Sequence, residues 1–145
     1  GSVSSTCAKS CPYGQVYAVE YQEQALDILR QNCAYLQAEN VTVLAGRAET
    51  VLSKLPVPDC IFIGGSNGAF PEILRQIQQL PKSVRLVVSA VTLETQAEVT
   101  QLLQDAPQLE IIPVFSGQSR KVGRYHVLQP YHPVLLFACT GGKSS

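Results

Sequence analysis

The sequence predicts an α/β fold, a mostly parallel sheet with helices packed on both of its faces, and three observations predict it. Short apolar runs alternate with helical stripes through most of the chain, which argues for parallel strands joined by helical crossovers. The central stretch, Asp59 to Gly68, has an acid, the apolar run Cys60-Ile61-Phe62-Ile63 and then glycines, as in a strand buried on both faces that opens into a turn. From Ala69, residues Phe70, Ile73, Leu74, Ile77 and Leu80 fall on one helical face. Strand, glycine turn and helix form half of an α/β unit, whose ligands sit at the carboxyl ends of the strands.

Each element follows in order. Gly1 to Tyr13, with Val3, Cys7 and Ala8 at helical spacing, reads as the remainder of a helix that begins abruptly. Gln15 to Glu20 is a strand ending in an acid. Ala25, Leu26, Leu29, Cys33 and Leu36 mark a helix across Gln22 to Ala38. Asn40 turns the chain into a strand, Val41 to Ala45. Gly46 precedes a short helix, Arg47 to Lys54, which Pro56 and Pro58 end. After the central strand comes the helix Ala69 to Gln79, then a strand from Val84 to Ser89. Thr92 is placed to cap a helix running to Asp105. Leu109 to Val114 is a strand, Ser116 to Gly123 a polar loop, and Tyr125 to Leu128 and Val134 to Cys139 are the closing strands. Because a loop rather than a helix joins the last strands, an antiparallel hairpin is expected at one edge. No linker or repeat interrupts residues 1–145, which read as a single domain.

Composition narrows the function classes. The 11 basic and 11 acidic residues cancel, so the basic excess that nucleic-acid binding requires is missing. The nearest approach to a basic patch, Arg120, Lys121 and Arg124, suits a small anion. No apolar run reaches the roughly 20 residues of a membrane span. The five cysteines are an odd number without disulfide or zinc spacing, which implies a reduced, cytoplasmic protein with no metal site.

Several stretches together resemble one family. Val16-Tyr17-Ala18-Val19-Glu20 and the helix ending Arg30-Gln31-Asn32 are similar to the second strand and helix of S-adenosylmethionine-dependent methyltransferases. Phe62-Ile63-Gly64-Gly65-Ser66, the run from Arg85 through Val91-Thr92-Leu93-Glu94-Thr95, and Pro133 before a strand resemble the decarboxylating precorrin methyltransferases. The resemblance implies a three-layer, Rossmann-like class I methyltransferase fold with S-adenosylmethionine as methyl donor. It implies methylation of carbon 15 of a precorrin-type tetrapyrrole, with loss of a neighbouring acetate carboxyl group, in cobalamin biosynthesis. It also implies a homo-oligomer, a tetramer, or a fused or associated domain that methylates carbon 5. The family begins with a strand and an Asp-x-Gly-x-Gly turn; Gly1-Ser2-Val3-Ser4 resembles the last glycine of that turn and the helix after it. The domain is therefore expected to lack its first strand and most of the turn. The alternatives are a methyltransferase of the same fold with another small acceptor, or an inactive truncated domain.

Site residues follow from strand ends and this resemblance. Cofactor contacts are expected from Gly1, Glu20, Tyr21, Arg47, Ala48, Gly64 and Gly65, with the Glu20 carboxylate accepting from the ribose hydroxyls. The alternative for Glu20, less favoured given the resemblance, is a solvated strand-end acid, and Arg47 could equally be part of a solvated helix start. Substrate contacts are expected from Ser66, Asn67, Thr92, Glu94, Ser119 and Arg120. Against these stand helix capping by Ser66, Asn67 or Thr92, a first-turn acid at Glu94, and a solvated hairpin around Arg120. His126 and His132 lack a partner spacing. No catalytic side chain is singled out, because a sulfonium methyl donor needs positioning more than acid–base help.

Overall fold

The computed structural model describes residues 2–143, and the chain divides into two compact units, Gly1–Pro56 and Val57–Ser145.

The first unit runs α1 (Ser2–Ser10), β1 (Val16–Glu20), α2 (Glu23–Tyr35), β2 (Val41–Ala45) and α3 (Ala48–Val51), followed by a 3-10 turn at Leu52–Lys54. Strands β1 and β2 pair in parallel, from Val16 opposite Val41 to Glu20 opposite Ala45. Ala8, Ala18, Leu26, Leu29 and Ala38 are buried together with Ser5. The buried face of α1 is thus Ser5 and Ala8; Val3 and Cys7, expected to share it, are exposed. Small side chains suit this face because α1 touches α2, β1 and β2 along its nine residues. The side-chain amide of Asn40 donates to the carbonyls of Ala8, Cys11 and Gly14 at 3.1, 2.9 and 2.8 Å. It holds the end of α1 to the start of β2.

The second unit runs β3 (Cys60–Ile63), α4 (Phe70–Gln78), β4 (Val84–Ala90), α5 (Leu93–Leu103), β5 (Glu110–Val114), β6 (Gly117–Val122), β7 (Tyr125–Pro130) and β8 (Val134–Gly141). Its main sheet has the order β3-β4-β8-β5; β3 and β4 are parallel, and β8 lies antiparallel between β4 and β5. Val84, Leu86, Val88 and Ala90 alternate inward along β4 and meet Phe70 and Ile77 of α4, Val99 and Leu103 of α5, and Phe137 of β8 as the buried apolar set.

Three expectations change here. Cys60–Ile63 is the edge of its sheet, so Cys60 is exposed and Phe62 is 42% exposed, where the apolar run predicts full burial. The stretch from Ser116 to Gly123, expected as a loop, contains β6, whose polar residues pair with β7 and are exposed on both faces. The N-cap position of α4 is Ala69, with Pro71 in the first turn, so neither Ser66 nor Asn67 occupies it. The antiparallel hairpin is present as β6–β7, a two-stranded sheet of its own, while β8 is an interior strand. Among the described residues no helix is long and apolar enough to cross a membrane.

Candidate functional site

In the first unit the candidate residues gather at the carboxyl ends of β1 and β2. Glu20 and Ala45 are the last paired residues, and the Gly46 N–H donates to the Glu20 carbonyl at 2.9 Å. The Glu20 Oε1 atom accepts from the backbone N–H groups of Tyr21 and Gln22, both at 2.9 Å. These two bonds fix the carboxylate at the strand end and leave Oε2 as an acceptor. Tyr21 follows, and the Arg47 guanidinium lies over its ring, 5.2 Å from the centroid. Arg47 Nε also donates to Glu49 Oε1 at 2.6 Å, and this bond raises the Arg47 pKa. Glu20, Tyr21, Arg47 and Ala48 therefore lie on two adjacent strand ends, as the sequence reading places them.

In the second unit the corresponding strand ends hold a glycine loop and the start of α5. Ile63 pairs with Val88, so Gly64 to Gly68 leaves β3 close to where β4 ends at Ala90. Asn67 and Gly68 take left-handed backbone conformations, φ 46° and 82°, which turn the chain into α4. Gly64 and Gly65 differ in what surrounds them. A Cβ at Gly64 would stand 3.1 Å from the Phe62 ring, which would have to give by a few tenths of an ångström to admit it. A Cβ at Gly65 would meet nothing within 4 Å, and its φ lies outside the left-handed range. Neither packing nor backbone conformation asks for a glycine at position 65.

Thr92 caps α5: its Oγ1 accepts from the Thr95 N–H at 3.2 Å and donates to Thr95 Oγ1 at 2.9 Å. Glu94 is exposed in the first turn, where the helix dipole favours an acid. Leu135 pairs with both Ala90 and Pro113, so β4 and β5 finish at the same end of the sheet. The β6–β7 hairpin springs from there, its base closed by the Tyr131 N–H donating to the Ser116 carbonyl at 2.9 Å. Ser66, Asn67, Thr92 and Glu94 are thereby brought to one end of this unit, with the hairpin that carries Ser119 and Arg120 rooted beside them. Successive strand residues point to opposite faces, so Ser119 and Arg120, expected to work together, are separated across the hairpin. Gly1 lies outside the described residues. No cluster of three metal-ligating side chains is found among the described residues.

Residues 1–141 match the family model of the precorrin methyltransferase domain. The chain belongs to that family. It is 33% identical over 140 residues to a protein of Pyrobaculum calidifontis named "Probable cobalt-precorrin-6B C(15)-methyltransferase (decarboxylating)", covering 94% of this chain and 71% of that one. The precorrin-6y C5,15-methyltransferase of Geobacter metallireducens superposes with a TM-score of 0.81 at 29% identity, covering 95% of this chain and 75% of that chain. The C-terminal domain of precorrin-6Y C5,15-methyltransferase from Rhodobacter capsulatus gives 0.80 at 26%, covering 97% and 74%. The fold is that of class I methyltransferases, and the chain is a methyltransferase domain.

Two features of this precorrin methyltransferase domain escape a reading of the sequence. The Arg47–Tyr21 stack joins residues 26 positions apart, and only the parallel register of β1 and β2 brings them together. The Phe62 ring lies against Gly64 and is half-exposed on the edge strand β3. The glycine doublet pointed to the place but not to the different reasons for its two members.

Proposed function

We propose that the protein transfers a methyl group from S-adenosylmethionine to carbon 15 of a precorrin-type tetrapyrrole, with decarboxylation of the neighbouring acetate, in cobalamin biosynthesis. Family membership supports the chemistry, and the observation that carries the site is Gly65. A glycine that neither packing nor φ demands leaves backbone open to a ligand, and it does so at a strand end where α/β folds bind ligands. The chain's own residues fit the donor. In the first unit Glu20 Oε2 accepts from ribose hydroxyls, the Tyr21 ring and Arg47 flank the nucleoside, and Ala48 offers backbone. In the second unit Gly65 leaves backbone open to a ligand. When bound, S-adenosylmethionine supplies a methyl group already activated as a sulfonium. The protein's part is to orient donor and acceptor and exclude water. Ser66, Asn67, Thr92 and Glu94 face the acceptor, and the hairpin cations meet its carboxylates.

The same reading makes the protein a single functional domain in a reducing cytoplasm, suited to its five free cysteines. It also makes the protein a homo-oligomer, or the partner of a domain that methylates carbon 5. The exposed apolar side chains of Ile111, Ile112, Val114 and Phe115 along the β5 edge support association. Light scattering at a strictly monomeric mass would remove that part of the reading.

Calorimetric titration with S-adenosylhomocysteine tests the site. Wild type is expected to bind, Glu20→Gln to bind about tenfold more weakly, and Gly65→Ala to lose binding while keeping its thermal midpoint. Absence of wild-type binding, or wild-type affinity in Gly65→Ala, would overturn the site.

A further inference from the structure

Glu49 stands in the first turn of α3, where an acid is ordinary, but α3 has only four residues and so little dipole for a carboxylate to meet. Its carboxylate is turned to Arg47 instead, at 2.6 Å, and the Glu49 side chain is 21% exposed against 47% for its partner. The Arg47 backbone is already fixed. Gly46, with φ 149° and the Val51 Cγ2 atom 2.9 Å from where a Cβ would stand, lets the chain leave β2 sharply. The Arg47 carbonyl then accepts from the Thr50 N–H at 3.0 Å, the Val51 N–H at 3.1 Å and Thr50 Oγ1 at 2.8 Å. Its guanidinium is held between Glu49 and the Tyr21 ring. The Tyr21 hydroxyl accepts from Gln22 Nε2 at 3.3 Å, and the Tyr21 N–H donates to Glu20 Oε1. Glu49, Arg47, Tyr21 and Glu20 thus form one connected run across the two strand ends.

We infer that Glu49 is a positioning residue for the nucleoside of the methyl donor, acting through Arg47 and Tyr21 on the Glu20 carboxylate; the inference deepens the proposed function and rests on it for the ligand. An exposed ion pair by itself adds little stability. Here it selects one conformation of a long side chain that has many, and that conformation lays a planar guanidinium on an aromatic face. With the carboxylate removed, the guanidinium loses one of its two anchors and the ring loses its cover. The Tyr21–Gln22 backbone that holds Glu20 Oε1 then loosens, and Oε2 loses its fixed direction toward the ribose hydroxyls. Glu49 also cancels the Arg47 charge, so that no uncompensated guanidinium stands beside a sulfonium ligand.

The test is a double-mutant cycle of Glu49→Ala, Arg47→Ala and the double variant of the full chain. Each is titrated calorimetrically with S-adenosylhomocysteine and with its 2′-deoxy analogue, and thermal unfolding checks that each variant folds. Glu49→Ala should bind S-adenosylhomocysteine about fivefold more weakly, and the double variant no more weakly than Arg47→Ala alone. Wild type should prefer S-adenosylhomocysteine to the deoxy analogue by about tenfold, and Glu49→Ala by only about twofold. Glu49→Gln, which keeps an acceptor oxygen, should recover part of the loss. A ligand-independent readout is the NMR signal of the Arg47 Nε–H, assigned by its loss in Arg47→Ala. It should be shifted by the Tyr21 ring in wild type and return to an ordinary position in Glu49→Ala. A signal unmoved in Glu49→Ala, losses that multiply in the double variant, or equal losses for both ligands would overturn the positioning role. Wild-type affinity in Glu49→Ala would sink that role alone and spare the cofactor reading. A wild type that shows the shifted signal but binds no S-adenosylhomocysteine sinks the cofactor reading, and the positioning role goes with it.

Discussion

Glu72, on the first turn of α4, accepts from Arg75 Nε at 2.9 Å, from Arg75 Nη2 at 2.7 Å and from Gln76 Nε2 at 2.9 Å. The Arg75 hydrogen bond, then that from Gln76, lowers its pKa from 4.5 to about 2. A carboxylate whose folded pKa is depressed adds stability above its unfolded pKa and loses it as pH falls through the folded one. Urea titrations of wild type and Glu72→Gln should therefore show wild type ahead at neutral pH and the gap closing between pH 4.5 and about 2. A gap that widens on acidification would contradict the pairing. The pair is exposed, so its effect is small. Asp59 behaves alike, its pKa lowered by the hydrogen bond from Lys82 Nζ at 2.6 Å. At this scale the sequence shows which residues stand at strand ends, Glu20 and Arg47 among them. It does not show that Glu20 Oε1 accepts from the backbone N–H groups of Tyr21 and Gln22, because that depends on how the chain leaves β1.

Helix α5 illustrates how far local rules reach at the scale of an element. The cap at Thr92 and the Glu94 in the first turn are local signals and both are realised, while the helix ends at Leu103, two residues before the expected Asp105. Thr92→Ala removes the acceptor for the Thr95 N–H and should cost about 0.5–2 kcal/mol, measurable as a lower thermal midpoint, while Thr92→Ser restores most of it. Full stability in Thr92→Ala would show that the cap contributes nothing. Strand β6 is the counterexample. Gly117-Gln118-Ser119-Arg120-Lys121 lacks apolar alternation because neither of its faces is buried, so the period-2 signal has no cause. Its register comes from the Gly123 turn and from β7. The run Cys60–Ile63 errs in the opposite sense: its side chains are those of a covered strand, yet its place at the edge of β3-β4-β8-β5 leaves Cys60 and Phe62 exposed.

For the whole molecule, stability rests on apolar side chains gathered from distant parts of the sequence, and the second unit shows it best. Leu86 is fully buried, in a strand whose neighbours are β3 and β8. Leu86→Ala should destabilise by about 2–5 kcal/mol in a denaturant titration, and a loss below about 1 kcal/mol would mean that the site collapses around the missing atoms. Cys139, buried beside it in register, has its thiol pKa raised by that burial and behaves as a small hydrophobe, as the apolar run predicts. The sequence by itself determined the α/β class, the order of helices and strands, and which residues stand at the strand ends, because periodicity, caps and glycine turns are local consequences of side-chain chemistry. Only the tertiary structure decided that β8 enters between β4 and β5, that Arg47 stacks on Tyr21, that the Phe62 ring crowds Gly64 while Gly65 is open, and that Arg120 and Ser119 face opposite ways. Each of these depends on register between segments far apart in the chain, and register is set by packing and pairing in three dimensions.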